Sequence, residues 1–180
     1  DREELKSLLK THSVMKGDFV LSSGKRSNLY VDAKLTTLRA DALPLVGRAL
    51  LANIKGRGWH PYAVGGLTMG ADPLVTAISR EALEYGFVIH SFLVRKEPKK
   101  HGRQRFLEGL AETDGHPVVI VEDVCTTGGS AIKAIERSRD AGLDVIGAVS
   151  LVDREQGGRE AIQGEHGCPF DRVFTMKELL

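Results

Sequence analysis

Cysteine is scarce in this sequence. Cys125 and Cys168 are the only two in 180 residues, too few for a disulfide scaffold. No run of about twenty apolar residues occurs, so no membrane span is expected. Residues 1–10 alternate charge with leucine and hold no apolar signal core. Two thiols without a secretion signal point to a reducing, cytoplasmic setting. Internal repeats and low-complexity tracts are missing, which excludes solenoids and collagen-like chains. With 42% hydrophobic and 27% charged residues, the chain is not mainly disordered and can bury a real core as one domain over 1–180.

An overall charge imbalance is lacking too. The formal net charge is +1, yet Arg95, Lys96, Lys99, Lys100, Arg103 and Arg105 stand against the single acid Glu97. Residues 95–105 therefore carry +5, and the rest of the chain sums to −4. A mildly acidic body with one cationic segment argues against a nucleic-acid binder, which spreads positive charge over a face. It argues for local capture of a small, highly charged anion.

The pattern of apolar residues alternates strand and helix. Residues 1–10 read as a short amphipathic helix, and Phe19–Lys34 as a hairpin or extended segment with a strand at Leu29–Val31. Helices are expected over Arg39–Ile54, Ala71–Glu84, with Asp72-Pro73 near its start, and Gly129–Ala141. Strands are expected at Tyr62–Gly66, Phe87–Val94, Pro117–Val121 and Asp144–Val152, with an edge strand at Arg172–Thr175 and a weaker helix at Arg159–Gln163. This order implies an α/β fold with a central, mainly parallel sheet flanked by helices. Ligands of such sheets gather at the carboxyl ends of the strands.

The strongest signal follows one of those strands: Glu122-Asp123-Val124-Cys125-Thr126-Thr127-Gly128-Gly129-Ser130, running into a helix. Glycines allow backbone N–H groups to turn inward, the helix start adds partial positive charge, and Thr126, Thr127 and Ser130 add hydroxyls. The combination suits a phosphate monoester. It lacks the lysine of a Walker loop and the spacing of a dinucleotide fingerprint. The two acids suit a sugar diol and a neighbouring magnesium ion. Cys125 has no His or Asp tied to it by a motif and reads as a small hydrophobe rather than a nucleophile. His166 and Cys168 are too few for a zinc site, and Asp72 suits either helix capping, its expected use, or metal-diphosphate binding through the Gly65–Asp72 loop.

Glu122–Ala131 resembles the phosphoribosyl-pyrophosphate motif of the type I phosphoribosyltransferases. Arg95–Gly102 resembles the mobile catalytic loop, and Phe19–Asp32 the N-terminal hood, of the orotate phosphoribosyltransferases among them. The resemblance implies a type I phosphoribosyltransferase fold with a hood over residues 1–35 and a mobile loop over 95–109. It implies synthesis of orotidine 5′-monophosphate from orotate and phosphoribosyl pyrophosphate, with Mg2+, in UMP biosynthesis. By the same resemblance, residues 122–130 would hold the ribose 5-phosphate, and Thr126 and Arg154 would meet orotate; the flat apolar ring of Tyr30 suits either the pyrimidine site or packing within its strand. Arg95, Lys96, Lys99 and His101 would reach the pyrophosphate, with Lys99 or His101 as proton donor. A homodimer sharing this loop between subunits is implied, with no nucleic acid or membrane as partner. No metal ligand is assigned directly.

Two positions depart from the family pattern. Ser22 and Met69 stand where many bacterial members carry lysine, leaving Lys25, Arg26 or backbone N–H groups as candidate replacements. Two other functions fit parts of the pattern: transfer to another base, against which Arg154 and the hood speak, and a non-catalytic sensor of phosphoribosyl pyrophosphate, which has no use for a dense cation loop with His101. No DNA-binding helix pair is appended.

Overall fold

In the computed structural model, residues 1–21, 24–102 and 104–180 are described. Ser22 and Arg103, both singled out above, lie outside them. The chain opens with helix α1 (Arg2–His12), whose Leu5 and Leu9 are fully buried. An antiparallel hairpin follows, β1 (Val14–Val20) and β2 (Arg26–Val31), with Val14 opposite Val31. It begins earlier than the sequence pattern suggested, because Val14 and Met15 pair across to β2 despite the polar residues after them. A one-turn helix α2 (Lys34–Thr37) leads into α3 (Leu43–Gly56).

The main sheet is built from β3 (Ala63–Leu67), β4 (His90–Val94), β5 (Leu107–Glu108), β6 (Pro117–Cys125), β7 (Asp144–Asp153) and β8 (Phe170–Thr175). Its order is β5-β4-β3-β6-β7-β8, parallel throughout except for β5. Helix α4 (Asp72–Glu84) connects β3 to β4, and α5 (Gly129–Asp140) connects β6 to β7. Val118, Val119, Ile120 and Val121 are all buried, as a strand covered on both faces requires. Their side chains alternate: Val119 and Val121 join the core under α1, α3 and α4, while Val118 and Ile120 join the core under α5.

Four details differ from the sequence expectation. Strand β4 starts at His90, leaving Phe87 and Val88 exposed at 43% and 66%. Helix α3 starts at Leu43, after a turn over Arg39–Ala42, with Pro44 in its first turn. Strand β5, two residues long, carries no legible pattern of its own; the antiparallel pairing of Leu107 with Val94 forms it. Most importantly for function, β6 runs through to Cys125, so Glu122 and Asp123 sit on the strand rather than after it.

From β3 the chain moves outward to β4; from β6 it moves the opposite way to β7. The sheet therefore reverses its winding between β3 and β6, and the loops leaving these neighbours diverge, opening a crevice at their carboxyl ends. Gly66 makes the contact at this point possible. A Cβ there would sit 2.3 Å from the Val121 carbonyl oxygen and 2.6 Å from Ala71 Cβ. Both are backbone-anchored, so neither can yield. Gly66→Ala is expected to lower stability by about 1–3 kcal/mol, measurable by urea denaturation.

Candidate active site

A cavity of about 260 Å³ occupies the crevice. One wall is the segment after β3, from Leu67 to Ala71; the other is Val121, Glu122 and Asp123 of β6 with Ser130 and Ala131 of α5. Lys34 and Lys96 close the sides. Gly70 approaches Asp123 so closely that a Cβ would lie 2.6 Å from its Oδ1.

The loop between β6 and α5 turns at Gly128, whose φ of +91° is a left-handed conformation that favours glycine. Thr127, Gly129 and Ser130 are exposed around that turn. The first-turn amides of a helix have no intrahelical acceptor, so this end of α5 presents free N–H donors and the positive end of its dipole. The opposite side of the loop is closed. The Thr126 carbonyl accepts from the Gly158 N–H at 3.0 Å, and Cys125 is fully buried beneath it. Burial pushes the Cys125 thiol well above its ordinary pKa, which keeps it protonated and unreactive. The hydrophobe reading of Cys125 agrees with this, and Val124 packs against the α3/α4 core. From these two residues the cavity can receive backbone groups only.

The two carboxyls of β6 titrate apart. Glu122 Oε2 is shut off from solvent and has no hydrogen-bond partner among the described residues. Desolvation, reinforced by the Asp123 charge, pushes the Glu122 carboxyl up to about 8, partly offset by the Ala131 N–H it accepts. Burial also raises Asp123, but its own Val124 N–H donates to Oδ1 at 2.8 Å and Lys34 stabilises its charge. Glu122 therefore holds its proton at a pH where a free glutamate has lost it. Asp72 does not cap α4. Its Oδ2 accepts from Thr68 Oγ1 at 3.1 Å, tying the β3 loop to the helix.

Of the basic segment, Lys96 lines the cavity. Arg95 N donates to the Phe106 carbonyl at 2.7 Å, which joins the two arms of the loop at their base. Arg137 of α5 pins that base: its guanidinium donates to the Arg95 and Lys96 carbonyls at 2.6 and 3.0 Å and stacks on Phe106. Lys99 lies outside the cavity wall, with Nζ 2.6 Å from Glu108 Oε1; that ammonium holds the Glu108 carboxyl below its ordinary range. His101 is exposed and also lies off the cavity wall.

Arg154 leaves the end of β7 next to the loop, its N–H donating to the Cys125 carbonyl at 2.9 Å. Its Nε is buried without a partner among the described residues, and burial lowers its pKa. The preceding Asp153 is 1% exposed; it accepts from the Glu155 N–H at 2.8 Å and from Arg172 Nη1 at 3.0 Å. This pair, buried on the Asp153 side, fixes the turn that carries Arg154. Tyr30, on β2, does not line the cavity. Its ring packs tilted on Phe19, centroids 5.6 Å apart, and is 39% exposed.

The structure therefore gathers Glu122, Asp123, Ser130 and Lys96 around one space, with Thr126–Gly129 and Arg154 adjoining it. Lys99, His101 and Tyr30 stand outside its wall. Sequence reasoning passed over Lys34, Arg137 and the Asp153–Arg172 pair. Lys34 had a faint signal, a lone cation directly after the hood strand; the other three act through distant partners that no local pattern shows. Among the described residues, no group of three or more His, Cys, Asp or Glu could hold a metal alone. No helix is long and apolar enough to cross a membrane among the described residues.

Residues 38–169 match the family model of the phosphoribosyl transferase domain. The orotate phosphoribosyltransferase of Aquifex aeolicus is 46% identical over all of this chain and 98% of its own length. That of Synechocystis sp. is 44% identical over 99% of this chain and 88% of its own. The orotate phosphoribosyltransferase of Mycobacterium tuberculosis, crystallised with 5-phospho-α-D-ribosyl 1-diphosphate, superposes with a TM-score of 0.82 at 38% identity, covering 99% and 98% of the two chains. With a domain-family match over most of its length and full-length relatives above 40% identity, the chain belongs to the phosphoribosyltransferase family, among its orotate phosphoribosyltransferases.

Proposed function

We propose that this chain transfers the 5-phosphoribosyl group from phosphoribosyl pyrophosphate to orotate, releasing pyrophosphate and forming orotidine 5′-monophosphate for pyrimidine biosynthesis. One observation carries the reading: a single crevice combines an amide-rich loop at a helix start, an adjacent pair of carboxyls and a cation from the basic segment.

The reaction breaks one bond at the anomeric carbon and makes another. Positive charge builds on the ribose ring as pyrophosphate departs, as in glycoside cleavage. The N–H groups and hydroxyls of residues 126–130 hold the 5-phosphate and fix the sugar's position. Asp123 accepts a hydrogen bond from one ribose hydroxyl. Glu122 keeps its proton near neutral pH and can donate to the other. A neutral Glu122 also limits the negative charge that would repel the diphosphate. Thr126 and Arg154 face orotate; the partly desolvated Arg154 guanidinium suits its carboxylate. Tyr30 offers apolar ring surface on the hood.

The expelled group is highly charged, so its departure depends on cations and on excluding water. Lys96 already faces the cavity. Arg95, Lys99 and His101 reach the pyrophosphate when the loop closes, with Lys99 or His101 supplying a proton to the leaving oxygen. For Lys99 this means exchanging Glu108 for the phosphate. Lys99 and His101 lying away from their own cavity supports a homodimer in which each loop serves the neighbouring site. Asp123, an oxygen-only donor on the cavity wall, fits a hard cation arriving with the diphosphate. When bound, Mg2+ neutralises diphosphate charge. Two buried free thiols support a reducing, cytoplasmic setting.

The direct test is spectrophotometric: orotate should be consumed with phosphoribosyl pyrophosphate and Mg2+, and uracil or a purine should not. Consumption of another base in place of orotate would overturn the assignment. Lys99→Ala should lower turnover at least about 100-fold with an unchanged melting temperature. Mixed with Asp123→Asn subunits, it should regain activity at one site per dimer; verified heterodimers without regain would show that the loop serves its own subunit. Glu122 gives a pH signature. From its ordinary value of 4.5 up to about 8, the unfolded chain ionises this carboxyl while the folded protein keeps it protonated. Wild-type stability therefore falls across that window as pH rises. Glu122→Gln cannot ionise, so its melting temperature relative to wild type should climb by several degrees between pH 4.5 and pH 8. A constant offset would assign Glu122 an ordinary carboxyl.

A further inference from the structure

The cavity has a cation on the hood side that the family motifs do not account for. Lys34 follows directly on the hood hairpin, and its side chain forms part of the wall, across from Asp123. Its base is rigid. The Asp32 N–H donates to the Ser13 carbonyl at 3.0 Å, and Asp32 Oδ1 accepts the Lys34 N–H at 3.1 Å. Two residues on, the buried Thr36 hydroxyl is bonded to the Ser13 hydroxyl at 2.5 Å. The ammonium lies 3.3 Å from Asp32 Oδ1. An ammonium has three donors; Asp32 engages one, and the side chain remains 39% exposed toward the crevice.

We propose that Lys34 binds the diphosphate of phosphoribosyl pyrophosphate, held in position for that purpose by Asp32. This rests on the function proposed above and names a contact for the same site. Met69, which also lines the cavity, brings no charge to it. Arg26 is spent on Asp18 at 3.0 Å at the exposed end of the hairpin. The wall carries two cations from separate elements, Lys34 and Lys96, beside the carboxyls of β6. Asp123 can serve the ribose while Lys34 takes a phosphoryl oxygen within the same cavity.

Wild type, Lys34→Ala, Lys34→Arg and Asp32→Asn should be titrated calorimetrically with phosphoribosyl pyrophosphate and with pyrophosphate, each with Mg2+. The KM for orotate is measured in parallel at saturating phosphoribosyl pyrophosphate. Lys34→Ala should weaken both phosphate ligands about tenfold or more, the loss of one charge-assisted hydrogen bond, and move the orotate KM less than about twofold. Lys34→Arg should recover most of the affinity, and Asp32→Asn should show a smaller loss of the same kind. If Lys34→Ala folds poorly, Lys34→Met keeps the aliphatic stem and must show the same selective loss. Equal affinity of wild type and Lys34→Ala for both ligands overturns the proposal and reduces the Asp32–Lys34 pair to a structural contact. Wild type that binds phosphoribosyl pyrophosphate in a Lys34-dependent way but leaves orotate unconsumed would uphold this contact while removing the proposed reaction. Wild type that binds neither ligand ends both.

Discussion

The parallel pairing of β3 with β6 is the contact on which the site depends. The winding of the sheet reverses there, so the chain segments leaving the two strands must part, and the space between them cannot be filled by either crossover. Gly66 lets the strands' ends approach within the reach of Val121, and Gly70 brings the next segment against Asp123. Amide donors, carboxyls and cations then arrive at one place from four separate stretches of chain. A fully covered core on both faces keeps that edge of the sheet from shifting.

Within the crevice the charges are arranged in opposition. Two carboxyls in succession on one strand line the same crevice, and desolvation with the Asp123 charge pushes the Glu122 carboxyl up to about 8. This restraint matters for a site whose ligand is itself strongly anionic. The cations come from elements of different character: Lys34 from a rigid turn at the end of the hood, Lys96 from the root of the basic loop, pinned by Arg137. The tip of that loop, with Lys99 on Glu108, rests away from the cavity. In the proposed reading, the fixed cations position the diphosphate, while those farther along the loop add charge stabilisation upon closure.

The architecture also explains why Cys125 is inert although it lies inside the phosphate-binding motif. It occupies the last position of β6, beneath the loop rather than within it, with Gly158 packed so close that a Cβ there would sit 2.3 Å from the sulfur. The loop above can then expose its amides because its underside is closed by sulfur and backbone. On the other flank, buried Asp153, paired with the half-buried Arg172, fixes the turn that presents Arg154.

The sequence by itself determined the alternation of strands and helices, the both-faces-buried character of Val118–Val121, the glycine- and hydroxyl-rich loop at 126–130 and the basic segment. Each of these is local: hydrophobic period, glycine and hydroxyl content, and charge density are properties of neighbouring residues. The two acids were legible as site residues, but their place on the strand was not, because polar residues interrupt an apolar run whether or not the backbone continues to pair. Only the tertiary structure decided that Asp72 serves Thr68 instead of capping its helix, that β5 exists, and that Lys34 and Arg137 belong to the site. Those outcomes depend on which segments the sheet order brings side by side, and proximity across about forty or ninety positions leaves no periodic trace in either partner.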